Sequence, residues 1–103
     1  MGKNRIIKIL SNIIGNIVVL KILVKYTNKP ESISHLSEEV GTYRDSAIET
    51  AQEFNWNDKD KSRIKQDALK KFKKDMERYY SDVKFPSNEP EKLIDETIKE
   101  CRI

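Results

Sequence analysis

Thirteen of the nineteen positions from Ile6 to Val24 are Ile, Val or Leu, and no acidic residue occurs before Pro30. Lys8, Ser11, Asn12, Asn16 and Lys21 interrupt the run. At 100° per residue Lys8, Ser11, Asn12, Gly15 and Asn16 gather on one side, and Lys21 falls elsewhere. The pattern predicts a helix over about 3–28 with a thin wet face. Seven isoleucines and three valines lower helix propensity, so residues 17–26 also read as a buried strand. No second strand of comparable quality exists to pair with it inside one chain, and a lone strand leaves its backbone groups unsatisfied. Helix is therefore expected, with a strand paired across a dimer as the alternative.

Beyond that segment the apolar positions are sparse and spaced by threes and fours. Ile33, Leu36, Val40, Tyr43, Ala47, Ala51 and Phe54 form one stripe. Ile64, Ala68, Phe72, Met76, Tyr79 or Tyr80, and Val83 form a second, and Leu93, Ile94, Ile98 and Cys101 a third. Turn-forming clusters at 27–30, 55–58 and 85–90 separate them. Helices are predicted over about 31–55, 58–82 and 89–101. Pro30 suits a first helical turn, Asn57 caps the third helix with Asp58 and Asp60 at its positive end, and Asn88 caps the fourth. The expected fold is all-α and a single domain: a helical hairpin, a third long helix and a short C-terminal helix, resembling a four-helix bundle.

The apolar arc of the first helix covers about half to two-thirds of its circumference, more than the usual core stripe of about 100°. Either three helices touch it or a second copy does. A homodimer is expected, with Ile6, Leu10, Ile13, Ile14, Ile17 and Leu20 as the self-association surface. Residues 6–24 also approach the length of a membrane span. The mid-run Lys and Asn side chains weigh against a bilayer at about 2–3 kcal/mol per Lys, and no small-residue cleavage site follows.

Charge refines the picture. The net charge is +3, but it is segregated: residues 1–30 carry +6, 31–57 carry −5, 58–82 carry +3 and 83–103 carry −1. Consecutive segments tend to be neighbours, so the first two are expected to attract each other. In the third helix Asp67, Asp75 and Glu77 stand one turn from Arg63, Lys71 and Lys73, which predicts local pairing. Lys70 and Lys74 remain free, with Arg78 one turn on. If the chain binds nucleic acid, the expected contacts are Arg63, Lys70, Lys73, Lys74 and Arg78.

Candidate chemistry is thin. One histidine, His35, and one cysteine, Cys101, occur. Neither sits in a metal-ligand spacing, and the acids near His35 read as a solvated face. Cys101 reads as a buried thiol without a base to activate it, and a single cysteine suits a reducing, cytoplasmic setting. The isolated glycines form no phosphate loop. A helix-turn-helix with its turn at Gly41 would present Asp45, Glu49 and Glu53 to phosphates, so one unbroken helix is favoured. Trp56, beside Phe54, is expected to plug the end of the bundle. The sequence thus points to a non-enzymatic helical interaction or scaffold module without cofactors, self-associating through its first helix. A nucleic-acid-binding protein and a membrane-associated protein are the alternatives.

Overall fold

The computed structural model describes residues 2–26 and 33–103, apart from the Ile33 side chain. Its elements are four helices: α1 (Lys3–Tyr26), α2 (Ile33–Ala51), α3 (Asp58–Tyr79) and α4 (Glu89–Glu100). No strand occurs among the described residues, and residues 17–26 are helical. The expected helix ends at 28 and 31 and the role of Pro30 lie outside those residues.

The remaining boundaries follow from local bonds. Asn57 caps α3 reciprocally: its side chain accepts from the Asp60 N–H at 2.8 Å, and Asp60 accepts from the Asn57 N–H. Asn88 makes no side-chain cap bond and is itself in the right-handed helical region, contrary to expectation. The start of α4 relies on Pro90 in the first turn and on Glu89 and Glu91 near the positive end. The chain leaves α2 at Ala51, not 55, because the Ala51 carbonyl accepts from the Phe54 N–H and from Trp56 Nε1 at 3.1 Å. α3 stops at Tyr79. The chain beyond it turns so that Tyr80, Val83 and Phe85 pack against the core, Phe85 edge-on to Phe72.

The oily α1 is the axis of the bundle. It packs against α2, α3 and α4, while α3 and α4 also pack together. Paired positions give the directions. Lys3 lies by Asn55 beyond the end of α2, and Lys21 lies near Val40 and Arg44, so α2 runs antiparallel to α1. Asn4 meets Arg63, and Gly15 meets Ala68 and Lys71, so α3 runs parallel to it. Lys25 meets Glu89 and Lys21 meets Thr97, so α4 is antiparallel. Leu10, Ile14, Ile17, Val18 and Ile22 are fully enclosed, each contributing about 1.5–3 kcal/mol of burial. By length and composition α1 could cross a membrane, and 67% of its most apolar window is buried inside this chain.

The stripes hold, with exceptions. In α3, Ile64, Ala68, Phe72 and Met76 are buried, and Tyr80 takes the core side while Tyr79 is 63% exposed. In α2, Val40, Ala47 and Ala51 are buried, but Tyr43 is exposed. Only α1 lies against α2 along its length, which leaves the flank at Tyr43 open. α2 passes through Gly41 without a positive φ, so the helix is unbroken. The α1 stripe expected to face water is partly enclosed: Ser11 and Gly15 are buried while Lys8 and Asn12 are exposed. Gly15 is covered by α3, and Ser11 donates to the Ile7 carbonyl at 2.7 Å.

Candidate basic groove

The parallel course of α1 and α3 leaves an open groove of about 710 Å³ along one side of the molecule. Its α1 wall carries Asn4, Arg5, Lys8 and Asn12, with Ser11 at the base. Its α3 wall carries Arg63, Lys70, Lys71 and Lys74, together with Asp67. Six cations thus converge on a space holding one carboxylate. The two helices approach closely at Gly15, where even a methyl group would lie 2.6 Å from Lys71 Cγ and 3.2 Å from the Ala68 carbonyl.

The expected local pairing in α3 is mostly not made. Lys71 does bond Asp75, at 2.9 Å. Arg63 instead donates to the neutral Asn4 amide oxygen at 2.9 Å and makes no ion pair among the described residues. Arg5, Lys8, Lys70 and Lys74 make no ion pair with any described residue, and neither do Lys73 and Glu77. Neighbouring charges at one-turn spacing have only a few tenths of a kcal/mol to gain from pairing, so a well-placed amide across the groove takes Arg63.

Of the expected nucleic-acid contacts, the groove brings together Arg63, Lys70 and Lys74. Lys73 and Arg78 are exposed but do not line it. Sequence reasoning missed Arg5, Lys8 and Asn12 as partners of that face. Lys8 and Asn12 already shared the wet side of α1; nothing in the periodicity said that α3 would lie beside it.

The expected self-association residues lie mostly inside the chain. Ile6, Leu10, Ile14, Ile17 and Leu20 are buried, and Ile13 is half-buried. The wide apolar arc that called for a second copy is covered by α2, α3 and α4.

The predicted attraction between the first two segments takes another form. Among the described residues no ion pair joins α1 to α2. Lys3 pairs with Asp60 of α3 at 2.6 Å, Lys25 with Glu89 of α4 at 2.5 Å, and Lys21 with Glu100 and Thr97 of α4. Arg44 of α2 reaches across to Glu100 at 3.1 Å. The Lys3 ammonium holds the Asp60 carboxyl below the usual carboxylate range, and the hydrogen bond from Lys25 to Glu89 raises the Lys25 ammonium. The stability that the Lys3–Asp60 tie contributes is therefore full above the ordinary carboxylate range and is lost as pH falls below it, through the lowered Asp60 value.

The acids Glu38, Asp45 and Glu49 of α2 are exposed on its outer side, and Glu53 is exposed just beyond its end. The molecule therefore has a basic groove along α1 and α3 and an acidic strip along α2. His35 is exposed, 3.7 Å from Glu39, and no cluster of three metal-ligating side chains occurs among the described residues. Cys101 is buried, and desolvation pushes its thiol up to about 11, which keeps it protonated at neutral pH. Trp56 is half-buried against Phe54, with Lys3 over its ring, and closes the bundle end as expected. No family model, curated protein or solved structure matches this chain.

Proposed function

We propose that this protein is a non-enzymatic helical binding module whose working surface is the α1–α3 groove and whose ligand is the phosphate backbone of nucleic acid. One observation carries the reading: five cations that form no ion pair among the described residues, Arg5, Lys8, Arg63, Lys70 and Lys74, line one concave surface from two helices. Concentrating like charge in a solvated groove repels itself, and a polyanion relieves that repulsion while releasing its own counter-ions. The acidic α2 strip lies on a different helix and turns a polyanion away, which orients its approach.

The test is fluorescence anisotropy with a labelled oligonucleotide at several salt concentrations between about 50 and 200 mM. Five free cations opposed by Asp67 predict a slope of log K against log salt of about −3.6 to −4.5. Lys70→Glu with Lys74→Glu should abolish binding and leave helix content and Tm unchanged, since both side chains are exposed. Asp67→Asn should tighten binding a few-fold and steepen the slope. Undiminished binding by the double variant would end the proposal.

A second reading is a self-associating module, for which Ile9 and Ile13, half-buried on the outer side of α1, are the apolar positions a second copy reaches. Light scattering on purified protein tests it: a dimer that Ile13→Lys converts to a folded monomer favours this reading, and a monomer at all concentrations removes it.

A further inference from the structure

We infer, building on the phosphate-binding reading, that the groove seats one strand of a double helix and reads charge without sequence, in preference to single-stranded nucleic acid. The first observation is what lines it. Its walls present cations, amides, a hydroxyl and one carboxylate, and no aromatic ring. Sequence-tolerant binding of single strands depends on aromatic side chains on which bases stack, at about 1–3 kcal/mol per base. The exposed tyrosines lie off the groove, Tyr43 on α2 and Tyr79 at the end of α3, and Phe72 is buried in the core. A single strand laid here would gain its phosphate contacts and leave its bases in water.

The second observation is spacing. From Arg63 to Lys74 the α3 wall advances about 16 Å at 1.5 Å per residue. Over that length the evenly spaced phosphates of one strand come within reach of cations on both walls, Arg63, Lys70 and Lys74 on α3 and Arg5 and Lys8 on α1. The third is rigidity. The approach at Gly15 fixes the two helices against each other, and the Asn4 oxygen holds Arg63 in place. A preformed double row of cations suits a stiff, regular backbone. A coiling strand would have to be ordered to fit it, at an entropic cost the groove does not repay.

Base reading is also missing. Asn4 has its oxygen engaged by Arg63, which leaves Asn12 as the groove amide that makes no side-chain hydrogen bond among the described residues. One amide does not form the set of bidentate contacts that tells base pairs apart.

Counter-ion release sets the expected size of the preference. It contributes about 0.9 per neutralised phosphate in a duplex against about 0.7 in a single strand, so five phosphates give about tenfold tighter duplex binding near 0.1 M salt. The decisive experiment is competition against a labelled duplex DNA, using unlabelled duplex DNA of unrelated sequence, duplex RNA, single-stranded oligothymidine of equal length, and inorganic phosphate. The expected order is both duplexes equal within a few-fold whatever their sequence, oligothymidine about tenfold weaker, and inorganic phosphate ineffective. Oligothymidine competing as well as duplex would overturn the inference while leaving the groove a nucleic-acid site. So would competition by only one of the two duplexes, which would mean that helix shape is read. Failure of every nucleic acid to bind in a manner sensitive to Lys70→Glu with Lys74→Glu would strike the underlying functional reading instead.

Discussion

Where α3 lies along α1, the backbones come so near that Gly15 has no room for a methyl group, and Lys71 and Ala68 fill the space a side chain would take. On α2, Gly41 stands beside the buried stripe of Val40, Ala47 and Ala51 and has nothing within 4 Å of where its Cβ would be. Among the described residues no ion pair crosses the α1–α2 seam, while Lys3–Asp60 and Arg63–Asn4 join α1 to α3. α3 is also braced by α4, with Lys65 on Asp95 at 3.1 Å, whereas α2 packs chiefly on α1 and is tied to α4 through Arg44. The same helix thus has a polar-edged seam on one flank and an apolar one, packed over a comparable extent, on the other. The lesson concerns where binding surfaces arise: the groove lies along the polar-edged seam, where cations of both helices reach the surface.

The largest effect that bears on this contrast is truncation on each side. Phe72→Ala, at 1% exposure on α3, should cost about 3–5 kcal/mol in urea unfolding. Leu36→Ala, half-buried on α2, should cost about 1 kcal/mol. Equal costs would erase the distinction between the seams. Next comes Gly15→Ala, which should lower stability by about 1–2 kcal/mol net, overcrowding outweighing the gain in helix propensity. It should weaken duplex binding as well, because the walls must separate. Gly41→Ala, the same exchange on the other flank, should raise stability by about 0.5–1 kcal/mol. Two helical glycines answering with opposite signs is the sharpest form of the comparison, readable from a pair of thermal melts. The smallest change is Glu49→Gln on the outer face of α2, expected within about 0.5 kcal/mol of wild type and without effect on the salt slope of binding.

Much of this architecture is legible in the sequence. The spacing of apolar residues places four helices and the buried sides of α3 and α4. The Asn57–Asp60 pair is recognisable as a cap, and the smooth stripe through Gly41 as an unbroken helix. Periodicity reports which side of a helix is buried and says nothing of which neighbour buries it. That is why Gly15 reads as part of a wet face although it is packed against Ala68 and Lys71 of α3. It is also why Lys8 and Lys70, far apart in sequence, are not visible as one surface. Charge totals mislead for a related reason. Long Lys and Arg side chains choose among all groups within reach, so α1 pairs with α3 and α4 despite the opposite charges on α2. Tyr43 shows the limit of a stripe on a helix with one principal neighbour, where the edge of the pattern meets water.

The central place of α1 also has a consequence in time. Its covering helices follow it along the chain, and the last of them, α4, ends roughly 75 residues after Tyr26. At about 5–20 residues per second of synthesis, an oily helix precedes its last cover by several seconds. α2 arrives first and shields one flank in the meantime. The nascent chain is therefore most prone to clump in the interval before α3 emerges, and a cell making it quickly has reason to keep a chaperone near the ribosome.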